Sequence, residues 1–298
     1  MQSRSRRLGR WSGYLYLLPA LALIGLFVYF PIIDNTRLSF FHIQSFAGIE
    51  TFIGFDNYVR LWDDPVVRTA ILNNVWYAVI SVIFQVGGAL ILAALVETFV
   101  VPRLRGVLRT IYFLPSAMPL TVTALLFTFI YHPQLGLLNQ ILDALGLNSL
   151  TASWLGDQKT AIFAIIAMNQ WHAIGYAMVL YLVAIQRIPV ELYEAMAIDG
   201  AGRLRQFLSV TVPLVRQMTG FLTVVTVSGA LLVFNEVIVM TNGGPANASQ
   251  VLGTWIYKSA FLYDDRGYAA AIATVVLILA LAFAAVQLTY TRRRRVEL

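Results

Sequence analysis

The sequence predicts an all-α polytopic membrane protein with six transmembrane helices, and two observations support this fold class. The chain of 298 residues is 59% hydrophobic and only 12% charged, a proportion of apolar surface too large for a soluble core. About 20 helical residues cross the roughly 30 Å hydrocarbon core of a bilayer, and several apolar runs reach that length. The predicted spans are roughly Tyr14–Ile33, Ala70–Val96, Thr110–Tyr131, Ala161–Ile185, Thr219–Met240 and Ala269–Tyr290.

The first run follows Arg4, Arg6, Arg7 and Arg10, a basic start that is also typical of a signal peptide. The run is too long for the apolar region of a signal peptide, and it ends at "PIIDNTRLSF" without a pattern of small residues for cleavage. We therefore interpret it as a retained first span, with a cleaved signal as the alternative.

The distribution of the 21 Lys and Arg residues predicts the orientation of the spans. If the N-terminus is cytoplasmic, the outer segments contain only Arg37, Arg60, Arg68, Lys159, Lys258 and Arg266, and all others lie inside. Both termini are therefore predicted to be cytoplasmic. The net charge of +6 reflects this topology, so the basic C-terminus at 292–295 is not interpreted as a nucleic-acid site.

Three outer gaps, about 34–69, 132–160 and 242–268, mix turn residues with short amphipathic segments. They either dock something outside the cell or only cover the helix bundle. Because no linker or internal repeat divides the chain, residues 1–298 are expected to form one transmembrane domain.

The inner gap after the fourth run is long and contains helix signals. Pro189 and Glu191 suit the first turn of a helix that should end near Ile198, before "DGAG". Gly200 and Gly202 are expected where the chain turns through positive φ or packs closely. A second short helix should follow in "RLRQFLSV", before Pro213. The resulting corner is either a docking element or an interfacial connector.

Two polar clusters interrupt the apolar runs. The fourth run contains Asn169, Gln170, Trp171 and His172, and the fifth contains Phe234, Asn235 and Glu236. Amide, carboxylate and aromatic groups suit the hydroxyls and C–H faces of a sugar, whereas interhelical hydrogen bonding is the alternative for both clusters. Glu236 could serve as an ion relay, as a hydroxyl acceptor or as a structural partner.

Other chemistries lack their required residues. Lys159 and Lys258 are the only lysines, and neither lies in a G-x-x-x-x-G-K-[ST] phosphate loop, so energy must come from elsewhere than ATP bound to this chain. The absence of cysteine excludes disulfides and thiolate metal sites. His42, His132 and His172 belong to no catalytic or metal motif. The chain is thus expected to hold no metal and to be no enzyme.

The segment "YEAMAIDGAGRLRQFLSVTVP" resembles the EAA loop of ABC-importer permeases. Glu194, Ala195, Asp199, Gly200, Ala201, Phe207 and Pro213 fit the spacing of that motif, and Met196 replaces its second alanine. "PIIDNTRLSF", "FIGFDNYVRL", "RTIYFLPSAMP" and "FNEVIVMTNGGP" are similar to the carbohydrate-uptake branch of the family, which includes the maltose and glycerol-3-phosphate permeases.

The resemblance implies a subunit of the bacterial inner membrane that pairs with a second, non-identical permease and with two ATP-binding cassette subunits. ATP and Mg would bind to those ATPases, and an extracytoplasmic binding protein would deliver a sugar-like solute. In the family, the loop at 189–213 couples ATP hydrolysis to alternating access. Its implied contact and corner residues here are Glu194, Ala195, Asp199, Gly200, Ala201 and Gly202.

The remaining alternatives are an ion-coupled secondary transporter of a polar solute and a membrane enzyme with a buried polar site. The sequence does not identify the solute, although the candidate pathway contains no arginine, which disfavours a phosphate ester.

Overall fold

The computed structural model describes residues 16–44 and 49–292, and helices dominate this part of the chain. The helices are α1 Tyr16–Leu38, α2 Asp56–Asp63, α3 Pro65–Phe99, α4 Pro102–Ala117, α5 Leu120–Ile130, α6 Leu137–Ala144, α7 Ala161–Ile185, α8 Val190–Ile198, α9 Arg203–Leu214, α10 Arg216–Leu231, α11 Asn235–Met240, α12 Leu252–Tyr257 and α13 Arg266–Arg292. Two short strands, β1 Phe41–Gln44 and β2 Ile49–Phe52, form an antiparallel hairpin. The all-α fold class is confirmed, and the hairpin is an addition that the sequence pattern did not predict.

Some residues used in the topology argument lie outside the described part of the chain. They are Arg4, Arg6, Arg7, Arg10, Tyr14 and the arginines at 293–295.

Four of the described helices are long and apolar enough to cross a membrane by themselves: α1, α3, α7 and α13. Two further candidates are bent pairs, α4 with α5 and α9 with α10, which raise the number of spans to six if each pair is one span. The fourth predicted run coincides with α7, Ala161–Ile185. The second and sixth runs lie within longer helices that extend past them at both ends, and the first helix continues past its predicted end through Asp34–Leu38.

The third predicted span, Thr110–Tyr131, is not one continuous helix. Helix α4 ends at Ala117, α5 begins at Leu120, and their axes meet at 94°. Pro119 explains the break: it lacks a backbone N–H, and it holds Met118 in an extended conformation with ψ of 146°.

The fifth predicted span, Thr219–Met240, is also interrupted. Helix α10 ends at Leu231, and α11 begins at Asn235 after an irregular segment in which Phe234 has φ of −152°. Tertiary contacts explain this break. The Asn74 amide donates to the carbonyl oxygen of Ala230, 2.6 Å away, and so satisfies an acceptor at the end of α10. Gly253 lies against the Val233 carbonyl, where a Cβ atom would be 2.5 Å from that oxygen.

Contacts between Cα atoms divide the chain into two compact units. One unit comprises Met1–Asp63 and Ile256–Val275, and the other comprises Asp64–Trp255 and Val276–Leu298. The expectation that 1–298 is a single domain stays a prediction.

In the larger unit, α7 lies at the centre and contacts α3, α4, α5, α10 and α11. Two hydrophobic clusters share α3 and α7, one around Tyr77 and Ile165 and the other around Met178 and Tyr181. Helix α3 is continuous, but a π-turn at Val82–Gly88 shifts its register in the middle. The buried side chains of Ser81 on α3 and Gln170 on α7 meet where these two helices face each other, beside the site described below.

In the smaller unit, polar contacts fasten α2, the hairpin and the beginning of α13. The Asn57 amide donates to the carbonyl oxygens of Ser39 and Phe41, and Arg60 pairs with Asp265. The Arg60 guanidinium also lies 4.1 Å from the ring centroid of Tyr268. Helix α1 has no buried residue in this chain, so its apolar surface needs lipid or another protein.

Candidate functional site

A cavity of about 410 Å³ opens within the larger unit, between α3, α7 and the break from α10 to α11. Its polar and aromatic walls come from residues that are distant in the sequence. They are Tyr77, Ser81 and Gln85 on α3, Asn169 and Tyr176 on α7, Thr226 on α10, and Phe234, Asn235 and Glu236 at the break.

A chain of hydrogen bonds links these walls through Glu236, which is only 3% exposed. The Tyr77 hydroxyl donates to Glu236 Oε1 over 2.7 Å, and Asn169 Nδ2 donates to the same oxygen over 3.5 Å. Asn169 Oδ1 in turn accepts from Gln85 Nε2 over 3.0 Å. Since both bonds to the carboxylate end on Oε1, Glu236 retains acceptor capacity for a donor in the cavity.

The structure separates the members of the predicted cluster on the fourth span. Asn169 lines the cavity, but Gln170, Trp171 and His172 do not. Gln170 is buried and donates to Ser81 Oγ over 3.1 Å, which is the interhelical role that the sequence left open. The Trp171 ring packs at a tilt against the Phe127 ring, with ring centroids 5.3 Å apart, and His172 Nε2 lies 3.1 Å from the Met118 carbonyl oxygen.

The second predicted cluster stays together. Phe234, Asn235 and Glu236 all line the cavity, because the irregular backbone after α10 turns these consecutive residues into it. The α3 residues Tyr77, Ser81 and Gln85 were missed by the sequence reasoning. Their polarity inside an apolar run was the available signal.

The inner loop folds into two short helices at a tight corner. Helix α8 ends at Ile198 as predicted, and Gly200 follows with φ of +74°. The Gly200 N–H donates to the Ala197 carbonyl over 3.0 Å, and the Ala201 N–H donates to the Met196 carbonyl over 2.9 Å. These two bonds form a Schellman motif, which requires a left-handed residue at Gly200.

Gly202 departs from the expectation for the corner. Its φ is −69°, and a Cβ atom added there would meet no other atom within 4 Å, so it neither needs positive φ nor packs closely. Of the six predicted loop residues, Ala201 alone is buried; the exposed ones are Glu194, Ala195, Asp199, Gly200 and Gly202. The exposed face also includes Ile198, which is 87% exposed.

Two contacts that sequence reasoning missed hold the corner in shape. Gln206 Nε2 donates to the Ala201 carbonyl oxygen over 3.2 Å, and the hydroxyls of Tyr193 and Thr211 are 2.9 Å apart. The first contact fixes the buried residue of the turn, and the second connects α8 with α9. The loop is therefore a preformed element that presents an exposed corner.

Within residues 16–44 and 49–292, no group of three or more His, Cys, Asp or Glu side chains is arranged to hold a metal ion. The chemistry that the cavity walls offer is hydrogen bonding and apolar contact by their own side chains.

Residues 85–296 match the family model of the binding-protein-dependent transport system inner membrane component. The chain is 51% identical to the probable ABC transporter permease protein YurN of Bacillus subtilis over 95% of this chain and 97% of that protein. It is 34% identical to the lactose transport system permease protein LacF of Rhizobium radiobacter, with 95% of each chain covered.

The fold is similar to a chain of a bacterial ABC transporter involved in the import of the acidic polysaccharide alginate. The TM-score is 0.84 at 25% identity, with 97% of this chain and 98% of that chain covered. The chain therefore belongs to the family of binding-protein-dependent transport system inner membrane components, the permease subunits of ABC importers, which translocate solute and are not enzymes.

Proposed function

We propose that this chain is one of two non-identical permease subunits of an importer that moves a sugar or sugar-like solute into the cytoplasm. The observation that carries the solute class is the cavity wall, where Glu236, Asn169 and Gln85 present acceptors and donors beside aromatic side chains. Sugars need this combination, because planar polar groups satisfy hydroxyls and rings cover C–H faces. The lactose permease relative supports the same class.

The complex would contain two ATP-binding cassette subunits, which bind ATP and Mg, and would receive solute from an extracytoplasmic binding protein. A solved structure that this chain resembles at TM-score 0.83 is an alginate ABC transporter with such a periplasmic protein. The positive-inside distribution of Lys and Arg supports cytoplasmic termini and a cytoplasmic α8–α9 loop.

The loop would act as the coupling element. Glu194, Ala195, Asp199 and Gly200 lie on its exposed surface, and Ile198 adds an apolar contact. Closure of the ATPases would displace this corner and open the spans outward, and hydrolysis would reset them. A rigid corner suits this role, because a flexible one would absorb the displacement.

Affinity purification of the tagged chain from its native membrane in mild detergent tests the proposal. We expect a second six-span permease and an ATPase to be recovered with it, and sugars to stimulate ATP hydrolysis when the binding protein is added. Recovery of the chain alone, under conditions that preserve other membrane complexes, would contradict the proposal.

A further inference from the structure

The ends of three helices meet at one carboxylate in the larger unit, away from the cavity described above. Glu97 lies near the end of α3 and accepts hydrogen bonds from Arg105 and Arg109 of α4, over 2.6 and 3.5 Å. Its Oε2 atom also accepts from Gln186 Nε2, just past the end of α7, over 3.3 Å. The Glu97 side chain is 23% exposed, so this cluster is less screened by water and salt than a surface ion pair.

Arg105 makes the turn between α3 and α4 rigid. Besides the carboxylate, it binds the Glu97 carbonyl oxygen through Nη2 over 2.6 Å and the Val100 carbonyl oxygen through Nε over 2.9 Å. One side chain thus closes the turn at three points. We call Glu97, Arg105, Arg109 and Gln186 the corner cluster.

Two of the three helices that end at the corner cluster, α3 and α7, also line the cavity, together with α10 and the break that follows it. Along α3, Gln85 and Glu97 are about 18 Å apart at 1.5 Å per residue, and along α7, Asn169 and Gln186 are about 25 Å apart. Gln186 is followed closely by Pro189 and α8. The contact between Glu97 and Gln186 therefore connects the base of the loop with α3 and α4.

A second cavity, of about 520 Å³, lies between the corner cluster and the loop. Its lining includes Glu97, Arg105 and Gln186 on one side and Arg203 and Gln206 of α9 on the other. The cavity separates these residues of α9 from Glu97 and Arg105, whereas Gln186 contacts Glu97 directly.

We propose that Glu97 is a positioning residue for coupling, which holds the ends of α3, α4 and α7 together so that displacement of the loop reaches all three helices. This inference rests on the proposed function of the loop. Without Glu97, the loop would act on α7 and α10, to which the chain joins it, and α3 and α4 would follow only through apolar packing, so that the α3 wall of the cavity would follow incompletely.

The test is transport by the reconstituted complex with its ATPases and binding protein, measured as solute molecules imported per ATP hydrolysed. Glu97→Gln keeps the shape of the side chain and removes its charge, and we expect the ratio to fall about fivefold to tenfold, within the usual range of coupling effects. Glu97→Asp keeps the charge, so its ratio of import to ATP hydrolysis should stay close to that of the unsubstituted complex. Asp143→Asn, the same chemical change on the exposed surface of α6, should leave it unchanged.

Spin labels at Phe99→Cys and Arg187→Cys report the corner directly, since both positions are exposed and flank the contact between Glu97 and Gln186. In the otherwise unchanged chain, we expect one distance between the two labels, and it should be the same with and without ATP. In the Glu97→Gln variant, the distribution of this distance should be broader and should depend on ATP. An unchanged ratio of import to ATP hydrolysis in Glu97→Gln would overturn the inference. Poor assembly of the Glu97→Gln complex, with an equal loss of the ratio in Glu97→Asp, would also overturn it. Absence of ATP-driven import in the unsubstituted complex would instead refute the proposed function.

Discussion

Glu236 is a carboxylate buried in the cavity wall, and its hydrogen-bond donors, Tyr77 and Asn169, are both neutral. An acid in such a place is costly in a membrane protein and is usually functional. Its neutral partners distinguish it from a structural ion pair. With neutral partners, the Glu236 carboxylate is suited to exchange the hydroxyl donor of Tyr77 for a hydroxyl donor on a solute.

The Tyr77–Glu236 contact predicts an energetic coupling. In a double-mutant cycle with Tyr77→Phe and Glu236→Gln, we expect about 0.5–2 kcal/mol of coupling, the range found for interhelical hydrogen bonds. Thermal unfolding of the purified complex in detergent measures it. Tyr176→Phe with Glu236→Gln is the matched control: Tyr176 also lines the cavity but is 47% exposed, and its coupling should be near zero. Equal coupling in both cycles would show that the contact carries no specific energy.

Gly200 and Gly202 predict opposite outcomes in the same loop. Gly200→Val forces a branched residue to φ of +74°, which costs about 1–2 kcal/mol and distorts the corner, so import should fall about fivefold to thirtyfold. Gly202→Ala should have little effect, because φ is −69° there and the added methyl group meets no neighbour. Import and ATP hydrolysis are measured together. Normal import by Gly200→Val would exclude a coupling role for the corner.

The sequence predicted some site residues and missed others for a physical reason. Gly200 and Glu236 carry their signal locally, as a glycine after a helix and as an acid in an apolar run. Tyr77 and Gln85 belong to the site only because α3 packs against α7 and α11, and no local pattern records that pairing. Asn169 and Gln170 are neighbours in the sequence, but the rotation of about 100° per residue in α7 directs one to the cavity and the other to Ser81.

At the scale of elements, the packing of α4 on α7 depends on Gly175. A Cβ atom at this position would overlap the backbone carbonyl of Tyr112, so the two helices approach closely only because the side chain is absent. This backbone contact fixes the central helix next to the bent pair of α4 and α5.

Gly175→Ala is therefore predicted to destabilise the protein. Overpacking of this kind costs about 1–3 kcal/mol, which should lower the midpoint of thermal unfolding by about 2–10 °C. Gly106→Ala in α4 is the control: nothing lies within 4 Å of the added methyl group, and alanine favours helix, so stability should be unchanged or slightly higher. A Gly175→Ala variant as stable as the Gly106→Ala variant would contradict the close approach.

The breaks in the third and fifth spans show how far local signals reach. Pro119 is a local signal for the 94° bend, although the apolar run around it concealed the bend. The segment 232–234 contains neither proline nor glycine, and its irregular backbone depends on Asn74 and Gly253, which are distant in the sequence. Such a break is not predictable from periodicity.

At the scale of the whole molecule, the proposed orientation can be tested because the chain contains no cysteine. Single cysteines at Leu135 and Ile198, which are 76% and 87% exposed, should react from opposite sides of the membrane. In intact cells, an impermeant maleimide should label Leu135→Cys and not Ile198→Cys. In everted membranes from cells that lack the partner ATPases, the result should reverse. Labelling of both positions from one side would refute the proposed topology.

We propose that this chain imports its solute with energy from ATP, as part of a complex with a binding protein. The most direct measurement is uptake of radiolabelled sugars into proteoliposomes that contain the purified complex, with ATP and Mg inside and the binding protein outside. We predict uptake that requires both ATP and the binding protein and that a protonophore does not reduce. Uptake by this chain alone, independent of ATP and abolished by the protonophore, would contradict the account and indicate an ion-coupled carrier.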